Sequence, residues 1–139
     1  MKLFNNKFIQ FSTEAFLIAI LGYFAHQLIP TLPWWTIAVI AGIIAFALDT
    51  DVKSFATGFT AVVLLWGFIA YQINGLNAEI LASRVAEMLS GSEIIAKIGG
   101  LNPTRLIYLT AILGGIVGGL GAMTGALGRR MWVEKEVES

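Results

Sequence analysis

Apolar residues gather into four stretches separated by short polar breaks, which predicts a chain of helices rather than strands. Phe8 to Ile29 is interrupted by Gln10, Glu14 and, late, by His26 and Gln27, and Pro30 closes it. At about 1.5 Å per residue it is long enough to cross roughly 30 Å of hydrocarbon. A second stretch, about 32–48, opens with Pro33, Trp34 and Trp35, and a third, about 55–73, follows the polar run Asp49-Thr50-Asp51-Val52-Lys53-Ser54. The fourth takes Asn102 as N-cap and Pro103 as first helical residue, and runs to about 127 before Arg129 and Arg130. A secretory signal is the competing reading of the first stretch, since Lys2 and Lys7 precede it. Its length, the early Glu14 and the lack of a small-residue cleavage pattern favour a transmembrane span.

The fourth stretch also sorts its side chains by size. On a helix, Gly114, Gly115, Gly118, Gly119, Gly121, Ala122, Gly125, Ala126 and Gly128 fall on one half of the circumference. Leu113, Ile116, Val117, Leu120, Met123, Thr124 and Leu127 fill the other. Each interior glycine would weaken a soluble helix by about 1 kcal/mol, so the pattern fits lipid, where small-xxx-small pairs let backbones approach. The face is wider than one neighbour needs, which predicts contact with two helices, or with one from its own chain and one from another protein. The third span carries its own small pairs, Ala56/Thr60 and Thr57/Ala61, around Gly58, and its expected partners are Gly121 and Gly125, at matching depth.

The connection 74–102 has a separate pattern. From Asn77 to Ser90, Ile80, Leu81, Val85, Met88 and Leu89 share one side of a helix, while Glu79, Ser83 and Glu87 line the other. This predicts an amphipathic helix lying in the outer membrane interface, with Arg84 at the edge of its apolar arc. Ser90-Gly91-Ser92 breaks it, Ser92 can cap a second short turn through Lys97, and Gly99-Gly100 ends that turn. The segment 129–139 reads as a polar tail, frayed from Val133 onward.

Composition narrows the class. Of 139 residues, 57% are hydrophobic and 13% charged, too apolar for an ordinary soluble domain of this length. With no cysteine, thiolate metal sites, disulfides and cysteine nucleophiles are excluded, and one histidine cannot supply a two-imidazole zinc site within one subunit. A net charge of zero offers no footprint for nucleic acid. Lys2, Lys7, Lys53, Arg129, Arg130 and Lys135 would share one side, against Arg84, Lys97 and Arg105 on the other. The bias predicts that both termini are cytoplasmic in a bacterial inner membrane.

Few residues could carry chemistry. Glu14 is an ionisable group inside a span, and such groups serve as proton or cation carriers or, near a helix end, simply reach the interface; the second is the simpler reading here. Gln10, one turn earlier, can bond Glu14 or a partner helix. His26 suits an interfacial anchor better than a pH-sensitive group, and it lies about 120° around the helix from Glu14, too far for a dyad. Asp49 and Asp51 are too few to hold a divalent cation and suit a solvated turn. Trp34, Trp35 and Trp132 fit aromatic belts at the two surfaces.

Four short spans with an acidic residue early in the first resemble the small multidrug-resistance transporters, which implies a carrier role for Glu14. The long outer connection departs from their pattern. The Gly-Gly-x-x-Gly run before Arg129, Gly114-Gly115-x-x-Gly118, resembles the glycine motif of the fluoride channels, but the motif here is terminal and lacks the tyrosine of their arginine–tyrosine pair. No family is assigned on either likeness. The sequence is read as an all-α integral membrane protein, a four-transmembrane-helix bundle with an interfacial helix between spans three and four. Its expected role is non-enzymatic, without cofactor or metal, as an accessory or assembly subunit bound to other membrane subunits or to itself. The alternative is a homo-oligomeric ion channel or proton-coupled transporter using Glu14.

Overall fold

The computed structural model describes residues 2–29, 31–48, 53–76, 80–91 and 102–137. All regular structure among them is helical: α1 Lys2–Leu28, α2 Thr36–Ala47, α3 Ser54–Leu76, α4 Ile80–Ser90 and α5 Pro103–Val137. Three helices contain segments long and apolar enough to cross a membrane, Lys7–Leu28, Ser54–Leu76 and Thr104–Lys135. The protein is membrane-embedded.

The second apolar stretch forms a shorter helix than its composition suggests. Leu32 to Trp35 lie in turns, held by Leu32 N–H to the Ile29 carbonyl, Thr36 N–H to Pro33 and Ala38 N–H to Trp35. Proline has no amide hydrogen to donate and fixes its own backbone angle, so helix begins only after Pro33 has been passed. The 12 residues of α2 cover about 18 Å, short of the hydrocarbon thickness. At the other end, the expected frayed tail is instead helix through Val137, continuous with the span. Gly128 does not stop it, because no proline or left-handed cap follows. Asn102 caps α5 through its side-chain oxygen, which accepts from the Arg105 N–H at 2.8 Å.

Close approaches fix the helix directions. A β-carbon on Gly121 would overlap the Ala38 backbone, one on Gly125 would overlap Gly42, and one on Gly128 would reach Phe46 at 3.8 Å. Numbers rise together along both helices, so α2 runs parallel to α5. Phe55 lies over Gly119, Val63 and Phe59 over Gly115, and Trp66 over Gly114, so α3 runs antiparallel to α5. The short connection 29–35 makes α1 antiparallel to α2, with Gly22 against Ile37 and Leu65. The start of α1 and the end of α5 therefore lie at the same end of the bundle.

α1 packs on α2 and α3, as does α5 from the opposite side, and α1 and α5 share no contact among the described residues. The core is built of small and β-branched side chains, among them Ile18, Ile37, Ala41, Ala61, Val62 and Ala122. Large apolar side chains face outward, with Phe16 64%, Leu64 66% and Leu120 54% exposed, the reverse of a water-soluble bundle of this size. α4 touches α3 and α5, burying Ala86 while Ile80 and Met88 stay exposed. The turn expected from Ser92 to Lys97, Gly99-Gly100, Pro30 and the Asp49 to Val52 segment lie outside the described residues.

Candidate functional site

Glu14, Ile18 and Gly22 recur at four-residue spacing and form the buried ridge of α1. Because Gly22 meets Ile37 of α2 and Leu65 of α3, two helical turns back along α1 bring Glu14 to the level of Ala45 and Thr57. Both of these are buried. Glu14 itself is 3% exposed. Its side chain is covered because the ridge it belongs to faces the other helices.

The Gln10 side chain hydrogen-bonds the Glu14 carboxylate, whereas Oε1 is buried without a hydrogen-bond partner. Ser54 and Thr57, the buried polar residues at the start of α3, share this level of the bundle. Thr57 Oγ1 donates to the Lys53 carbonyl at 3.2 Å, so its hydroxyl proton is already placed and its lone pairs can still accept. A carboxylate oxygen left in this setting costs about 1–3 kcal/mol of desolvation or more. The group can hold a proton or one small cation. Among the described residues no three histidine or acidic side chains converge.

His26 lies three turns further along α1, half-buried, with Nε2 unpartnered. It is remote from Glu14, and the two form no joint site. Trp34 and Trp35 stand in the turn before α2, 57% and 52% exposed, and α2 begins beside the middle of α5. Arg84 is exposed on α4, and Trp132 is exposed beyond the last glycine of α5.

The α5 glycines divide between two neighbours. Gly114, Gly115, Gly118 and Gly119 lie beneath α3 side chains, while Gly121, Gly125 and Gly128 lie beneath α2. Gly121 and Gly125 therefore do not meet the small pairs of α3. Gly58 instead meets the Gly118 carbonyl and Ala122, with 2.7 Å between a β-carbon there and that of Ala122. The reason is the parallel course of α2, whose Ala38 and Gly42 form a second small-xxx-small pair.

One residue with a clear role escaped the sequence. Arg129 Nη1 donates to the carbonyls of Phe46 and Ala47, each at 2.9 Å. These belong to the last turn of α2, whose carbonyls lack partners within the helix and carry the negative end of its dipole. A cation from α5 satisfies both needs. In sequence the pair is more than eighty residues apart, and Arg129 reads only as one of a basic pair beside the membrane.

No protein-family model, no curated protein and no solved structure matches this chain.

Proposed function

We propose that the chain is a non-enzymatic subunit of a larger complex in a bacterial inner membrane, serving its assembly or stability. The observation that carries this reading is the balance between a closed interior and an open exterior. Inside, α5 meets α2 and α3 along small residues that let the helix backbones close together. Outside, large apolar side chains on every long helix stand ready for lipid or for neighbouring subunits. In this reading the glycine face holds the bundle together, and α2 is the return limb of a chain that crosses four times. α4 lies in the outer interface on its exposed Ile80 and Met88, and Arg84 and Trp132 anchor the two surfaces, whereas Trp34 and Trp35, beside the middle of α5, do not fit the surface belt expected of them.

The purified chain reconstituted alone into vesicles is expected to pass no proton, sodium or potassium current, and to retain other membrane subunits when extracted from its own membrane in mild detergent. A sustained flux abolished by Glu14→Gln overturns the proposal. The buried Glu14 favours that second reading, a carrier of protons or small cations, and the same measurement decides between them.

Both termini are proposed to be cytoplasmic, supported by the lysine and arginine bias and by the shared end of the bundle at which α1 starts and α5 finishes. Cysteines introduced at Ser92 and Ser139 are expected to react from opposite sides with a membrane-impermeant thiol reagent. Labelling of both from outside the cell defeats the topology.

A further inference from the structure

Among the described residues, Glu14 is the only buried side chain that can carry a charge. Gln10 bonds the carboxylate, and Oε1 is left buried with no hydrogen-bond partner. Lys7 and Lys53, the cationic side chains nearest to it along α1 and just before α3, are exposed. What shares its level inside the bundle is oxygen. Ser54 and Thr57 belong to the buried face of α3, in line with Ala61 and Leu65, and Leu65 meets Gly22 on the same ridge of α1 as Glu14. We propose that Glu14, Thr57 and Ser54 hold one sodium ion between α1, α2 and α3, bound as a fixed part of the fold and not transported.

Donor chemistry selects a metal cation over a proton. Thr57 Oγ1 gives its proton to the Lys53 carbonyl at 3.2 Å, so toward Glu14 it has only lone pairs to offer. Oε1 has no acceptor within hydrogen-bond reach, and a proton placed on it would itself be left unsatisfied. Sodium has nearly the radius of calcium, whose oxygen ligands stand at about 2.3–2.6 Å. Such an ion joins oxygens that are too far apart for one hydrogen bond. Charge selects a monovalent ion. Calcium sites draw on several carboxylates, whereas no three acidic or histidine side chains converge among the described residues, and a single carboxylate balances a single positive charge. α2 adds to the attraction. Ala45, at the level of Glu14, lies in its last turn, where the helix dipole is negative and favours a cation. The inference does not rest on the accessory role, because it concerns the stability of the single chain, which a flux measurement does not read.

The test uses the full chain, purified in a neutral maltoside detergent and freed of sodium. It is heated in choline chloride or in sodium chloride at matched ionic strength, with unfolding followed by tryptophan fluorescence. An ion that binds only the folded state raises the midpoint with the logarithm of its concentration once the site is filled. A rise of several degrees is expected in sodium and none in choline. Glu14→Gln should abolish the sodium response while keeping the choline midpoint near that of the wild type. Glu14→Met, at least as stable as the wild type in choline, should lose the response as well and serves if the glutamine variant does not fold. Thr57→Val keeps the shape but not the hydroxyl, and should need several-fold more sodium for the same rise, with Thr57→Ser restoring the wild-type response. A purely structural hydroxyl would instead lower both midpoints alike. Equal wild-type midpoints in the two salts, a sodium response that survives in Glu14→Met, or an unaltered response in Thr57→Val overturns the proposal.

Discussion

Gly125→Ala is expected to destabilise the bundle severely, although it adds one methyl group to a helix. At this position a β-carbon would overlap the carbonyl of Gly42, and at Gly121 it would overlap that of Ala38. The obstacle is backbone in both places, so no rotamer change relieves it and the helices must separate. Overpacking a tight contact costs about 1–3 kcal/mol and occasionally more, and these two sites should reach the top of that range, with leucine abolishing the packed state. Gly128→Ala is the internal control, since its β-carbon would sit 3.8 Å from a phenylalanine ring in ordinary contact. Unfolding by titration with sodium dodecyl sulfate in mixed micelles measures the series. Similar losses at Gly125 and Gly128 would show that backbone approach is not what these glycines provide.

The second large effect has the opposite sign. Glu14→Met should stabilise the folded chain, because it removes a buried carboxylate whose Oε1 has no hydrogen-bond partner and puts an adaptable apolar chain in its place. The gain expected from relieving an unsatisfied buried group is about 1–3 kcal/mol. Glu14→Gln keeps the shape and a polar tip and should change stability little. On the accessory-subunit reading, the assembled complex carrying Glu14→Gln works nearly as before. A Glu14→Met chain less stable than the wild type would mean that the carboxylate makes a structural bond worth more than its burial costs. The same titration reads both variants.

The sequence makes some of this legible and hides the rest for identifiable reasons. The third span and the start of the fourth are readable because lipid contact, helix caps and proline act locally. So is the division of α5 into small and large faces; in the fold Leu113, Ile116 and Leu120 lie exposed on the large side. The length of α2 is not readable, since apolar turn residues such as Leu32 and Trp35 look like helix to any hydrophobicity pattern. Partner choice was hidden too: Gly121 and Gly125 fit the small residues of α3 as well as those of α2, and only the helix directions decide. Distance from the end of the span places Glu14 only in depth, whereas its four-residue spacing from Ile18 and Gly22 tells which way it faces. The Arg129 clamp depends on a tertiary contact and leaves no local signal.

The shortness of α2 has a mechanical consequence for the membrane around it. Between the Trp34/Trp35 turn and the Arg129 clamp, this flank offers lipid about 18 Å of helix. From Arg105 to Arg129, α5 offers about 36 Å. If α2 is a full crossing, as in the proposed four-span arrangement, one molecule would present two hydrophobic thicknesses, and the bilayer is expected to thin on the α2 flank while staying near full depth on the other. Such deformation costs a fraction of a kcal/mol for each ångström of mismatch, and the cost falls when two pinched rims are shared. On that arrangement the fold would carry a direction of lateral attraction, drawing its α2 flank toward a neighbour that thins the membrane in the same way before any side chain of the two proteins has touched.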